Sequence, residues 1–107
     1  MDSAELLAEL LEGYGHTVLV ATSASAALAL ASQNQFDVIV SDVGLPDASG
    51  YELMAQMRER YAMKGIAVTG SSRAADVERG REAGFSMHLT KPVSLRNLEA
   101  ALQQVAG

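Results

Sequence analysis

The chain has 107 residues, of which 49% are apolar, 20% charged and 5% aromatic, with a formal net charge of −5 and no cysteine. That profile fits one small globular domain with an aliphatic core and excludes a disordered chain. The acidic balance argues against direct nucleic-acid binding, because there is no basic excess to displace counterions from phosphates. Without cysteine there is no disulfide framework, thiolate nucleophile or Cys-type zinc site. No apolar run approaches the roughly 18 to 20 residues that cross a bilayer, so no membrane insertion is expected. The opening Met1-Asp2-Ser3-Ala4-Glu5 is acidic where a secretory signal is basic, so a cytoplasmic location is expected.

Helical and aliphatic stretches alternate along the chain. Leu6, Leu7, Leu10, Leu11 and Tyr14 share one face of a helix expected from Ser3 to Gly13, with Asp2 and Glu5 at capping-box spacing. Thr17-Val18-Leu19-Val20-Ala21 reads as a strand, and Ala24 to Ser32 as a second helix capped by Ser23 or Ser25. Asp37-Val38-Ile39-Val40-Ser41-Asp42 is an apolar run ending on polar residues. The turn-rich segment from Val43 to Gly50 leads into a helix with Leu53, Met54, Met57 and Tyr61 on its apolar face.

Gly65 to Thr69 is the next strand, followed by Gly70-Ser71-Ser72, and a charged helix runs from about Arg73 to Ala83 before Gly84. The last strand lies within Phe85 to Thr90. Lys91-Pro92 ends it, and Ser94 caps a final helix with Leu95, Leu98, Leu102 and Val105 on one face. Strands without polar alternation are usually buried on both faces. The order α-β-α-β-α-β-α-β-α therefore predicts an α/β, doubly wound parallel sheet forming one domain over residues 1–107.

In such a sheet the residues just beyond each strand share one edge, where ligands bind. Asp42, Thr69 and Lys91 end three of the expected strands. A carboxylate is a nucleophile toward phosphorus, and a hydroxyl and an ammonium beside it bind phosphoryl oxygens. Each residue alone has an ordinary explanation. Asp often forms turns, Thr suits strands, and surface Lys is usually solvated. Their joint arrival at successive strand ends is what points to phosphoryl chemistry.

The stretch Asp42-Val43-Gly44-Leu45-Pro46-Asp47-Ala48-Ser49-Gly50 resembles the Asp-x-x-x-Pro-x-x-x-Gly signature of response regulator receiver domains. Ala67-Val68-Thr69-Gly70 is similar to that family's switch-hydroxyl strand, and Leu89-Thr90-Lys91-Pro92 to its Lys-Pro strand end. The resemblance covers nearly the whole chain and is nearest to receivers attached to hybrid sensor kinases. It implies a flavodoxin-like fold and a non-enzymatic phosphoacceptor, with a histidine kinase or histidine phosphotransfer protein as partner. Asp42 would accept the phosphoryl group, Thr69 would swing to hydrogen-bond it, and Lys91 would pair with it. The Asp42 carboxylate and Gly44 carbonyl would ligate Mg²⁺. His88 falls where the family usually carries an aromatic switch residue, although an ordinary edge-strand histidine accounts for it equally well. Pro46, Gly50 and Pro92 would be structural, with a cis peptide before Pro92.

The family's opening departs from this chain. Receivers begin with a central strand ending in an acidic pair that completes the Mg²⁺ site, whereas this sequence opens within the segment after that pair. The resemblance therefore implies an N-terminally incomplete receiver with weakened Mg²⁺ binding. It also implies an open slot beside Val38-Ile39-Val40, for which self-association through exposed strand edges is the expected relief. Two other functions compete. One is a degenerate pseudo-receiver acting as a phosphorylation-independent interaction module. The other is an aspartyl phosphatase, which usually needs a second acid where this chain has Gly44.

Overall fold

The structure, a computed structural model, describes residues 11–13, 23–45, 47–70, 73–91 and 93–106. Residues 11 and 12 are helical and turn at Gly13, as expected of the end of the first helix. The rest of that helix, the strand expected over Thr17 to Ala21, Asp2, Pro46, Ser71 and Pro92 lie outside the described residues.

The described chain runs through α1 (Ala24–Gln33), β1 (Val38–Asp42), α2 (Gly50–Tyr61), β2 (Lys64–Thr69), α3 (Ala74–Ala83), β3 (Phe85–Thr90) and α4 (Leu95–Ala106). The strands form a parallel ladder in the order β1-β2-β3, as successive βαβ crossovers dictate. Val38 pairs with Lys64 and Asp42 with Val68, while Val68 faces Leu89 and Thr69 faces Thr90. The three carboxyl ends therefore come level along one edge of the sheet.

Helix boundaries follow local chemistry. The Ser23 hydroxyl accepts from the Ala26 amide at the start of α1, and the Ser49 hydroxyl accepts from the Glu52 amide at the start of α2. Ser94 does the same for Asn97 at the head of α4. Helix α3 ends on Gly84, whose φ of 119° places it in the left-handed region that glycine tolerates. There the Gly84 amide donates to the Gly80 and Arg81 carbonyls.

The core lies on both faces of the sheet. On one face Ala24, Ala31, Leu53, Met54, Met57 and Met63 of α1, α2 and the turn after α2 pack with Ala67 and Phe85. On the other, Ile66 packs with Ala101 and Val105 of α4, with Val38, Met87, Leu89 and Leu102 around them. Ile66 and Ala67 are sequential and both fully buried, yet they belong to opposite clusters, because strand side chains alternate. Helices on both faces of a parallel sheet make the doubly wound α/β fold expected from the sequence.

Two expectations of burial need correction. Val40 of β1 is 39% exposed, so β1 is less fully covered than its uninterrupted apolar run suggests, whereas the middle strand β2 is mostly buried. Tyr61, at the last turn of α2, is 38% exposed, while Leu53, Met54 and Met57 carry that helix's buried face. The chain leaves the helix at the next residue, Ala62, in a left-handed conformation (φ 52°).

Candidate functional site at the carboxyl edge of the sheet

Asp42 is the last residue of β1, and Lys91 follows the last residue of β3. The ladder continues past both strands, with the Val43 amide donating to the Val68 carbonyl and the Lys91 amide to the Thr69 carbonyl, at 2.7 Å. These bonds fix the backbone on either side of β2 and bring the two side chains together. The Lys91 ammonium lies 2.9 Å from Asp42 Oδ1, with each side chain about half exposed. A half-exposed ion pair is worth only about 0 to 1 kcal/mol to stability. The fold therefore gains little from it, and its weight falls on what a carboxylate and an ammonium do together at this edge.

Thr69 ends β2, between the other two strands, and is 5% exposed. Ser41, also buried, donates its hydroxyl to the Asp42 carbonyl at 2.8 Å and so braces the residue before the turn. His88 sits in β3 opposite Ala67, half-buried and two residues back from the edge. Asp42, Thr69 and Lys91 are thus brought to one edge, as the order of strand ends predicts.

The loop between β1 and α2 is shaped by its backbone. The Gly50 amide donates to the Val43 carbonyl at 2.8 Å and the Leu45 amide to the Ala48 carbonyl at 3.2 Å, forming an antiparallel bridge between Gly44 and Ser49. Gly50 is buried where this turn closes. A Cβ there would stand 2.2 Å from the Asp42 carbonyl oxygen and 2.8 Å from the Val43 Cα, so only glycine admits the approach. At Gly44, by contrast, an added Cβ would meet nothing within 4 Å. Neither bond of the bridge uses the Gly44 carbonyl. Among the described residues no group of three or more His, Cys, Asp or Glu side chains gathers to hold a metal ion. A carboxylate such as that of Asp42 and a backbone carbonyl such as that of Gly44 are oxygen donors of the kind Mg²⁺ takes.

Sequence reasoning missed one residue here. Asp47 reaches from the loop to the start of α1, where its two carboxylate oxygens accept from the Ala24 amide at 2.8 Å and the Ser25 amide at 3.0 Å. Those bonds, that of Ala24 first, hold its carboxyl below the usual carboxylate range. The residues it meets lie more than twenty positions earlier in the chain, beyond any local spacing signal.

A strand-end aspartate paired with a strand-end lysine places the site at the edge where doubly wound α/β sheets bind their ligands. The comparisons with known proteins name the family. Residues 1–103 match the response regulator receiver domain, and the chain belongs to that family, whose members serve two-component phosphorelay signalling. It is 34% identical over 110 residues to the virulence sensor protein BvgS of Bordetella pertussis, covering 95% of this chain and 9% of that protein. With the sensor histidine kinase RcsC of Salmonella typhi it shares 33% over 98 residues, covering 91% of this chain and 10% of that protein. The chain thus spans about a tenth of these relatives.

Among solved structures, the Francisella response regulator 1452 receiver domain superposes with a TM-score of 0.89 at 26% identity, covering 96% of this chain and 86% of that one. A Burkholderia pseudomallei response regulator, solved with a phosphorylated aspartic acid, calcium ion and citrate, gives 0.86 at 31%, covering 96% and 61%. Both support the flavodoxin-like fold. Among the described residues no helix is long and apolar enough to cross a membrane.

Proposed function

We propose that this chain is the phosphoacceptor of a phosphorelay and that Asp42 receives the phosphoryl group from a phosphohistidine on a kinase or phosphotransfer protein. The observation that carries this reading is the 2.9 Å contact between Lys91 and Asp42 Oδ1 at the carboxyl edge of the sheet. A carboxylate oxygen of Asp42 is the attacking atom. Its bond to phosphorus forms as the phosphorus–nitrogen bond of the donor imidazole breaks, and the imidazole leaves with its electron pair and takes a proton from water. Lys91 follows the charge onto the phosphoryl oxygens, a role suited to an ammonium on a flexible stem. Thr69, at the end of the middle strand, supplies a hydroxyl to the same group, and His88 is the residue of β3 that responds to its movement.

Mg²⁺, when bound, would neutralise charge on the phosphoryl oxygens. Asp42 and the Gly44 carbonyl would hold it, with water completing the shell. A carboxylate and a carbonyl alone would hold Mg²⁺ weakly. The kinship with sensor proteins supports a kinase or phosphotransfer partner.

Transfer from a histidine-phosphorylated donor domain tests the reading. Asp42→Asn is expected to abolish labelling, and Lys91→Ala to slow it by roughly tenfold or more, the scale of one lost charge-stabilising contact. A wild type that takes no label would instead favour the interaction module that works without phosphorylation, and label that persists in Asp42→Asn would show that another acid is the acceptor.

A further inference from the structure

The loop that follows Asp42 is held by two different kinds of contact. Its internal shape comes from the Gly50-to-Val43 and Leu45-to-Ala48 backbone bonds. Its attachment to α1 comes from Asp47, which grips two consecutive amides with its two oxygens. A two-point contact of this kind fixes orientation as well as distance.

The helix end explains why a carboxylate suits the place. The first amides of a helix lack intrahelical partners and carry the positive end of its dipole. In α1, the Ser23 hydroxyl satisfies the Ala26 amide and the Ser23 carbonyl satisfies that of Ala27. Ala24 and Ser25 are left, and these are the two that Asp47 takes. Helix α1 is itself seated in the core through Ala24 and Ala31, so the loop is tied to a fixed point.

We infer that Asp47 is a positioning residue for phosphoryl transfer, setting the loop that carries the Gly44 carbonyl against the sheet edge by its bidentate grip on the start of α1. It touches no phosphoryl group. With both oxygens already accepting amide bonds, it is also poorly disposed to be the acceptor itself. The inference rests on the reading of Asp42 as the phosphoacceptor.

The test compares Asp47→Ala, Asp47→Asn and Ser23→Ala with the wild type, with Asp42→Asn as the blank. Ser23→Ala removes the other side-chain cap of the same helix and leaves the loop's tie in place, so it separates helix capping from loop placement. Labelling rates with acetyl phosphate and Mg²⁺ are read beside hydrogen exchange at the Leu45 and Gly50 amides. Asp47→Ala is expected to label at least roughly fivefold more slowly, since small misplacements of reacting groups cost rate steeply. Asp47→Asn, whose side-chain oxygen still accepts one amide bond, should recover most of the rate, and Ser23→Ala should label as the wild type does. Loop exchange should quicken in Asp47→Ala alone.

Equal rates in Asp47→Ala and Ser23→Ala, whether both slowed or both unchanged, would overturn the inference. If the wild type labels no better than Asp42→Asn, the phosphoacceptor reading fails on its own account. The exchange data then decide whether Asp47 holds the loop: faster exchange in Asp47→Ala than in Ser23→Ala upholds the tie, and equal exchange removes it.

Discussion

At the scale of single residues, two glycines of one loop call for opposite outcomes. Gly50 stands where a Cβ would come 2.2 Å from the Asp42 carbonyl oxygen, a backbone atom that cannot rotate aside. Gly50→Ala should therefore cost at least about 1 to 3 kcal/mol, as overpacking does, and displace the acceptor. Thermal unfolding beside labelling would show both losses. Gly44 faces open space, so Gly44→Arg should fold as the wild type does. A long side chain there should shield the phosphoryl group from water and slow its hydrolysis. An unchanged half-life would remove shielding at this position as a control on lifetime. The Asp-x-x-x-Pro-x-x-x-Gly spacing made Asp42 and Gly50 legible from sequence. Gly65 was not, because its reason is a close approach of Met54 from a distant helix: a Cβ there would meet the Met54 sulfur.

At the scale of elements, aliphatic runs and turn residues marked each described strand and helix to within a residue or two. The strand drawn from Gly65 begins at Lys64, and the helix drawn from Arg73 begins at Ala74. What local pattern could not show was how elements are tied to one another. The Asp47 grip on α1 spans 23 residues, and its effect on stability has a defined sign. Its folded carboxyl is held below the ordinary value of 3.8 by the Ala24 and Ser25 amides. The contribution is therefore complete above that value, where the unfolded carboxyl is ionised too, and is lost as the pH falls through the lower folded value. The stability difference between the wild type and Asp47→Ala should be constant from neutral pH down to about 4 and shrink below it. Denaturant titrations across that range measure it, and a difference that persists into stronger acid would show that the carboxylate's charge is not what matters.

At the scale of the whole molecule, the layered fold followed from strand character, but the depth of each strand did not. An apolar run cannot reveal how deeply each of its residues is covered, and Val40 is exposed although it reads like its neighbours. Among the described strands, β1 and β3 are the outer ones. An outer strand presents backbone groups able to pair with another chain. Sedimentation at micromolar concentrations is expected to show concentration-dependent self-association, which Val40→Lys should weaken. A single monomeric boundary at every concentration would mean that the strand edges are covered within one chain.

The central claim is that the carboxylate at the end of β1 carries the phosphoryl group. Its most direct test is the chemical location of the label after exposure to acetyl phosphate and Mg²⁺. An acyl phosphate is cleaved by hydroxylamine, which leaves a hydroxamate on the side chain that carried it. Peptide mapping should place that mark on Asp42 alone, once per chain, and find none in Asp42→Asn. A mark on Asp47 or another acid, or a label that resists hydroxylamine, would contradict it.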